Sequence, residues 1–476
     1  VTVSVAFPLG TIPTLPTLSL SEHERTLIAE MSMLRMRREF DMRESEAFLL
    51  GKYRVDNLRI AVPKEVEDRV RTIVGWPSLS VDPYVERLTV DGFRLPNATD
   101  VDVELADVMV ENGFDALMPL ATTDALALSH VWWTVGSPDE PGYAPRVTVE
   151  SPLNMVAKWN LRGDRPEAAW QQYWQDGRAH AVLYLPRQTI HLSANDAGEW
   201  EIANRDEHDF DFVPVVRMAH APMTSQRDGR SAITPALRSH TISASRDLMG
   251  IELAREIWAT PRLFILGATE EAFRKADGSK KSKFETYMSI LNAFERDEQG
   301  AVPDIKQIMA YDPSSLLKPF EERASQVASI VAAPPQDVGL YTQGNPTSAE
   351  ARQAAEFTRN RRARQMQRTF GPELARVAQM VMRFQNSGSL PREYRRLTTD
   401  WVEVDEQPMS IASDAISKQI SVGAVPPTSD VTLKRLGYSS VERRQLEEDR
   451  RGDALGDLRM IRESAQQQAA ADADAV

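Results

Sequence analysis

Apolar residues recur at helical spacing through both ends of the chain and at shorter, strand-like spacing in between. Ser21 and Glu24 stand three apart, as in a capping box. The pattern predicts a helix from there to about Leu50, with Leu27, Met31, Leu34 and Phe40 as its apolar contacts and Gly51 at its end. Val66, Val70, Ile73 and Val74 predict a short helix, turned by Gly75-Trp76-Pro77. Val81 to Leu88 reads as a further turn or two of helix, Val90 to Phe93 as a strand end, and Glu104 to Leu117 as a helix with Asn112-Gly113 inside it or at its end. From Ala125 the period changes. Strands are predicted at about 127–135, 146–150, 154–159, 168–174, 180–186, 188–193, 199–203 and 212–218, with Asn195 to Gly198 as a hairpin turn. Short strands at such regular intervals predict a mostly antiparallel sheet or sandwich, an all-β insert at about 125–220.

Helical spacing returns from Ile233 to Trp258, with Leu237, Ile242, Leu248, Ile251 and Leu253, and Pro261 stops it. A strand at 262–267, a helix at 270–295 broken at Gly278 and a strand at 305–310 form a small α+β unit between two long helices. The second of these runs from about Leu316 to Ala333 and stops at Pro334-Pro335, because proline lacks an N–H and disfavours helix in the residue before it. A loop with Gly339 and Gly344 follows. Thr347 and Glu350 have capping-box spacing and open a helix to about Phe370, roughly 35 Å long. Gly371-Pro372 is expected to break or kink it, after which Leu374, Val377, Val381 and Phe384 resume one apolar face. Beyond lie a strand-like Trp401 to Val404, a helix near 410–422, a break at Gly423 to Pro427 and a charged helix from Ser439. The Gln- and Ala-rich end, from 463, is expected to be disordered.

With 476 residues the chain exceeds one ordinary core, so two to four domains are expected. No cysteine is present, which excludes disulfides, thiolate metal sites and cysteine nucleophiles. The first twenty residues hold no charge but contain Pro8, Pro13 and Pro16, and they read as an extended arm. Ala116 to Gly136 is the most apolar stretch. Pro119, Asp124 and His130 within it favour a buried helix–strand pair over a membrane span.

Charge is unevenly spread. The chain carries a formal net charge of -13, yet 351–400 holds eleven arginines against the four acids Glu356, Glu373, Glu393 and Asp400, a net of +7. Arg361, Arg364 and Arg368 share one helix face, while Arg352, Arg359 and Arg362 point elsewhere. A helix polar nearly all round needs acidic neighbours. They can come from its own chain, from another chain or from nucleic acid. The overall acidity, with a pI near 5.2, argues against a protein that coats DNA, since such binding rests on cations meeting phosphates.

No catalytic grammar emerges. Gly278-Ser279-Lys280-Lys281-Ser282 lacks the upstream glycine of a phosphate-binding loop, and neither GxSxG nor HExxH occurs. The seven histidines are scattered. Asp206, Glu207, Asp209 and Asp211 crowd His208 without the spacing of a calcium loop, and read as a solvated hairpin. Asp100, Asp102 and Glu104 precede a helix, where acids favour the positive end of the dipole. The expectation is a structural or assembly protein without catalysis, cofactor or metal.

Two groups of residues carry a resemblance. They are Gly75-Trp76-Pro77 with Val81-Asp82 and Val85-Glu86-Arg87-Leu88-Thr89-Val90-Asp91-Gly92-Phe93-Arg94, and, far downstream, Asn345-Pro346-Thr347-Ser348-Ala349-Glu350-Ala351. Their order and separation resemble the portal, or head–tail connector, proteins of long-tailed double-stranded-DNA phages, especially those of actinobacterial hosts. The resemblance implies an α+β multidomain fold with wing, stem, clip and crown. After an arm at 1–19, the wing would span 20–230. The stem helices would be 231–258 and 314–333, and the clip 259–313. A tunnel loop would follow at 334–346, a long kinked helix at 347–386, a crown at 387–462 and a tail at 463–476.

The resemblance also implies a ring, usually of twelve subunits, at the portal vertex of the capsid, assembled in the host cytoplasm. Double-stranded DNA would pass through its channel. Its partners would be the terminase large subunit, a head–tail adaptor, and the major capsid and scaffold proteins, with no membrane. Gln336, Asp337, Val338, Leu340, Tyr341, Gln343 and Asn345 would face the channel. Arg359, Arg361, Arg362, Arg364 and Arg368 would sit between subunits or near DNA, and Lys275, Lys280, Lys281 and Lys283 would mark the docking surface of the clip. The loop 334–346 has no lysine or arginine, which suits a surface that passes DNA without gripping it. The rival readings are another capsid- or tail-associated structural protein without a DNA channel, and a metal-dependent nuclease using Asp102 or Asp209.

Overall fold

A computed structural model describes residues 20–55, 72–258, 262–266, 278–280, 304–308, 314–340, 349–404 and 416–436, with short breaks inside the longer ranges, and scattered positions from 438 to 450. Helix α1 is Glu22–Leu49, and its capping box is complete. Ser21 Oγ accepts from the Glu24 N–H at 3.3 Å, and the Ser21 N–H donates to the Glu24 carboxylate at 2.7 Å. Leu20, Leu27, Ile28 and Met31 bury against one core, and Met42 and Phe48 against another. Between them α1 touches the rest of the chain through Arg35 and Arg38, while Leu34 and Phe40, expected as contacts, are exposed together with Met33 and Met36.

A short helix α2 (Asp82–Val85) leads to strand β1 (Val90–Arg94). Helices α3 (Val103–Glu111) and α4 (Phe114–Leu128) are separated by Asn112 and by Gly113, whose positive φ of 61° suits a residue without Cβ. Helix α4 runs three residues past the point where strand spacing was expected to begin. Ala125 to Leu128 are all buried, so neither a helical nor a strand period is legible in them. The chain changes state at Ser129, with φ 87°, and β2 begins at His130. The apolar stretch is thus a buried helix–strand pair.

The predicted β insert is present as two antiparallel sheets. Strands β2 (His130–Gly136), β3 (Arg146–Glu150) and β9 (Val215–Ala219) pair in the order β3-β2-β9. Strands β4 (Met155–Trp159), β5 (Pro166–Gln175), β6 (Arg178–Leu185), β7 (Gln188–Ala194) and β8 (Trp200–Glu207) form a meander in sequence order. One face of the meander, with Trp170, Leu183, Ile190, Leu192 and Trp200, buries the first half of α1. A smaller core of Trp132, Met155, Ala157, Ala169, Val213 and Val215 includes residues of both sheets.

Helix α5 (Pro235–Trp258) packs against α6 (Ser314–Val331), and Arg323 donates to Asp247 at 2.8 Å between them. Between the two in sequence, β10 (Arg262–Leu266) pairs antiparallel with β11 (Asp304–Ile308). Of the helix predicted at 270–295 only 278–280 are described, and of the one from Ser439 only scattered positions. The helix expected before Gly75 has its start, and the N-terminal arm and C-terminal tail lie, outside the described residues, while 72–75 are not helical.

Helix α7 is Ala349–Gln385 and continues without a break through Gly371-Pro372, where a break or a kink was expected. Proline forfeits one backbone hydrogen bond there. Against that loss, Phe370, Leu374, Val377, Ala378 and Val381 are all buried, and the helix packs on β2 and β9. Strand β12 is Thr398–Trp401, three residues earlier than predicted, and pairs antiparallel with β1. Arg94 forms an ion pair with Asp400 across this pairing. Thr399 donates to the Gly371 carbonyl at 2.8 Å, so β12 lies directly on α7 where the helix has no side chain. Residues 416–421 are helical, and α8 follows at Asp430–Arg435.

Candidate functional site

The site lies where α6 ends and the chain turns toward α7. The last carbonyls of a helix have no partner within it. Here the Ala333 N–H donates to the Ala328 carbonyl at 2.9 Å, with Ala332 at φ 56°. Tyr84 donates to the Val331 carbonyl at 3.0 Å, and Arg362 to the Ile330 carbonyl at 2.7 Å. A single 3-10 turn, Pro335–Val338, follows and closes at Gly339 with φ 86°. Arg359, on α7, forms an ion pair with Asp337 in this turn; the arginine side chain is 5% exposed and the aspartate 35%.

The segment that carried the family resemblance runs along α6 to its end and on to α7. The Trp76 ring packs on Phe320 of α6 with centroids 5.3 Å apart. Arg87 donates to its own helix at the Pro83 carbonyl (2.8 Å) and to Asn360 of α7 (3.3 Å), and lies 3.6 Å from Glu356. Burial pushes the Tyr84 hydroxyl above its ordinary range, against the pull of Arg362, Arg359 and Arg87, and so keeps it a hydrogen-bond donor. The sequence pattern singled out Trp76 and Arg87 but not Tyr84, and gave none of them these contacts. The clue was an aromatic or cation at each apolar-to-polar boundary of a short segment.

Gln336 and Leu340 are half-buried, Asp337 is held by Arg359, and Val338 is buried in the main core. Tyr341, Gln343 and Asn345 lie outside the described residues. Arg359 and Arg362 find partners in their own chain, one of the sources left open by the charge count. Arg361 and Arg368 are exposed, and Arg364 is half-buried. Lys280 is exposed; Lys275, Lys281 and Lys283 lie outside the described residues.

Two of the carboxylates weighed as metal ligands, Asp102 and Glu104, have structural work. Asp102 caps α3, accepting from the Leu105 N–H at 3.0 Å, and Tyr394 donates to Asp102 at 3.2 Å and to Glu104 at 3.4 Å. Burial first, then these two charges, pushes the Tyr394 hydroxyl up. Among the described residues no group of three or more His, Asp or Glu side chains is placed to hold a metal ion. A cleft of about 1000 Å³ lies between the second half of α1, the 220–235 segment, the end of α6 and α7. Its arginines are committed elsewhere: Arg38 to Asp228, Arg238 to Glu44, Arg230 to the Ala221 carbonyl and Arg362 to the Ile330 carbonyl. Asp228 also pairs with Arg217, and the two arginines flank it beside His130. Burial raises the Asp228 carboxyl, but His130, Arg217 and Arg38 outweigh it and hold the group below its usual range. Nothing in the cleft converges on a reacting atom.

The arrangement is thus a paired-helix hairpin bearing a two-stranded insert, followed by a tight turn and then a long arginine-rich helix. Residues 49–430 match the family model described as "Phage portal protein, SPP1 Gp6-like". The chain is 30% identical over 415 residues to the portal protein of Mycobacterium phage D29, covering 85% of this chain and 84% of that one. It is 30% identical over 416 residues to the portal protein of Mycobacterium phage L5, with the same coverage. A solved chain from the virion of a native gene transfer agent particle superposes with a TM-score of 0.36 at 17% identity, over 76% of this chain and 89% of that one. The chain belongs to the phage portal protein family.

Proposed function

We propose that the chain forms a closed ring, of twelve copies by the family expectation, at one vertex of a phage capsid, and that the ring conducts double-stranded DNA during packaging and ejection. In this reading residues 20–230 form the wing. Helices α5 and α6 are the stem, and the β10–β11 unit between them is the clip, where the terminase large subunit and later a tail adaptor dock. The turn after α6 begins the tunnel loop, α7 lies under a crown from 387, and the capsid and scaffold proteins surround the wing. Assembly takes place in the host cytoplasm, and the product is a virion component with no catalytic role.

The observation that carries this reading is the antiparallel packing of α5 on α6 around a strand pair, with the tight turn at the far end. The Asp337–Arg359 pair and buried Val338 anchor that turn, so the surface offered to DNA falls to Gln336 and to the expected Tyr341, Gln343 and Asn345. Lys280 and the neighbouring lysines at 275, 281 and 283 are proposed for the clip surface. Negative-stain imaging of the purified chain tests the proposal. Rings with an axial opening wide enough for a duplex are expected, and small featureless particles persisting at raised concentration would overturn it.

A further inference from the structure

The solvent side of α3 is an exposed face of mixed character. Val103, Glu104, Asp107, Val110 and Glu111 are all exposed, Val110 by 81%, while Leu105 and Val108 behind them are buried. Helix α7 presents a face of the opposite sign. Phe357, 60% exposed, opens it, and Arg361, Arg364 and Arg368 follow along the same side. The acids at 104, 107 and 111 and the arginines at 361, 364 and 368 have the same spacing of three and four residues. Each trio spans about 10 Å of helix axis, and laid side by side in either direction their offsets agree within about 1.5 Å.

Among the described residues Asp107, Arg361 and Arg368 form no ion pair. Glu104 accepts from Tyr394 and Glu111 from the Ala144 N–H, which leaves each carboxylate with further lone pairs. Arg364 is half-buried and already engaged within its chain, so Arg361 and Arg368 have the larger part.

We infer that the α3 face of one subunit docks on the α7 stripe of the next copy of the same chain, acids on arginines and Val103 and Val110 beside Phe357. The apolar members decide for protein over nucleic acid: a phosphate backbone offers nothing to an exposed phenylalanine, whereas two valines bury it. Two different patches on one chain make a heterologous contact, which repeats from copy to copy and closes only by rotation. The inference thus rests on the ring reading and names one of the ring's contacts.

The chain contains no cysteine, so a cross-linking test is clean. Full-length chains carrying Asp107→Cys with Arg361→Cys, or Asp107→Cys with Arg368→Cys, are treated with a short bis-maleimide and run under denaturing conditions. At least one double variant is expected to give a ladder of covalent multimers, while each single variant stays monomeric. Dimers from a single variant would mean a self-complementary contact, and a linked monomer would mean that the faces meet within one chain; either overturns the inference. Rings seen by imaging without a ladder overturn this contact and leave the ring standing, whereas absence of rings in the unmodified chain removes the ring reading itself. Separately, Arg361→Glu with Arg368→Glu is expected to lower the ring fraction severalfold, with recovery on adding Glu104→Arg and Glu111→Arg. Unchanged rings that lose retention of duplex DNA would assign the stripe to nucleic acid and overturn the inference.

Discussion

The Asp337–Arg359 pair predicts an asymmetry between its two members. Removing one partner of a buried pair costs about 3–5 kcal/mol when it strands an uncompensated charge. Asp337→Ala strands a guanidinium on a side chain only 5% exposed, so the loss approaches that range. Arg359→Met strands a carboxylate that is 35% exposed, which water rehydrates, and the methionine keeps much of the aliphatic packing. Its cost falls toward the ~1 kcal/mol of a surface pair. The difference is about 2 kcal/mol, or roughly thirtyfold in the opening equilibrium of the turn. Asp337→Asn retains an acceptor of the same shape without the charge and should fall between. Urea denaturation followed by tryptophan fluorescence gives the global loss, and hydrogen exchange over 330–340 reports whether the turn itself opens. Equal losses, or a larger loss for Arg359→Met, would refute the argument that burial of the arginine sets the cost.

Two further outcomes follow from the packing. Burial holds His130 neutral, with its pKa lowered from 6.5 to about 4, Asp228 opposing and Arg217 and Arg38 assisting; the unfolded chain takes up the proton first as pH falls. Its stabilisation is therefore fully present above pH 6.5 and lost between there and about 4, a loss of roughly 3 kcal/mol that His130→Gln should remove from the acid limb of a stability–pH curve. A Cβ on Gly229 would lie 2.3 Å from the His220 carbonyl oxygen and 2.6 Å from that of Ser129, at φ 76°, whereas one on Gly371 meets nothing closer than Trp401 Nε1 at 3.4 Å. Thermal melts should show Gly229→Ala costing at least ~1–3 kcal/mol from its backbone conformation alone, and Gly371→Ala neutral or stabilising by up to ~1 kcal/mol.

Much of this architecture is legible in the sequence because its signals are local. The capping box at Ser21 and Glu24, the strand spacing from Arg146 to Ala219 and the Pro334-Pro335 stop all act within a few residues. The misreadings share a non-local cause. At Pro372 propensity left a break or a kink open, and α7 takes the unbroken form because the buried run Phe370 to Val381 outweighs one missing hydrogen bond. Phe40 has core character, yet it lies on the stretch of α1 that spans from one core to the next. Strand β12 was misplaced because polar Thr398 and Thr399 become strand only through β1. In the site, the charge count showed that arginines needed acids, but Asp337 stands 22 residues from Arg359 and is chosen by the fold. Trp76 and Arg87 stand in the motif, but only the fold sets Trp76 on Phe320 of α6, Tyr84 on the last turn of α6 and Arg87 against α7.

The pairing of β1 with β12 also sets a timetable. Arg94 and Asp400 are 306 residues apart in the chain, so β1 leaves the ribosome long before its partner exists. At synthesis rates of about 5–20 residues per second, that interval is about 15–60 s. Throughout it, the two sheets and α4 can fold, while Val90 and Phe93 keep an unpaired edge. The last joint of the main core therefore closes after nearly the whole chain has been made, and a nascent subunit stays unfinished, with one strand waiting, until residue 401 emerges.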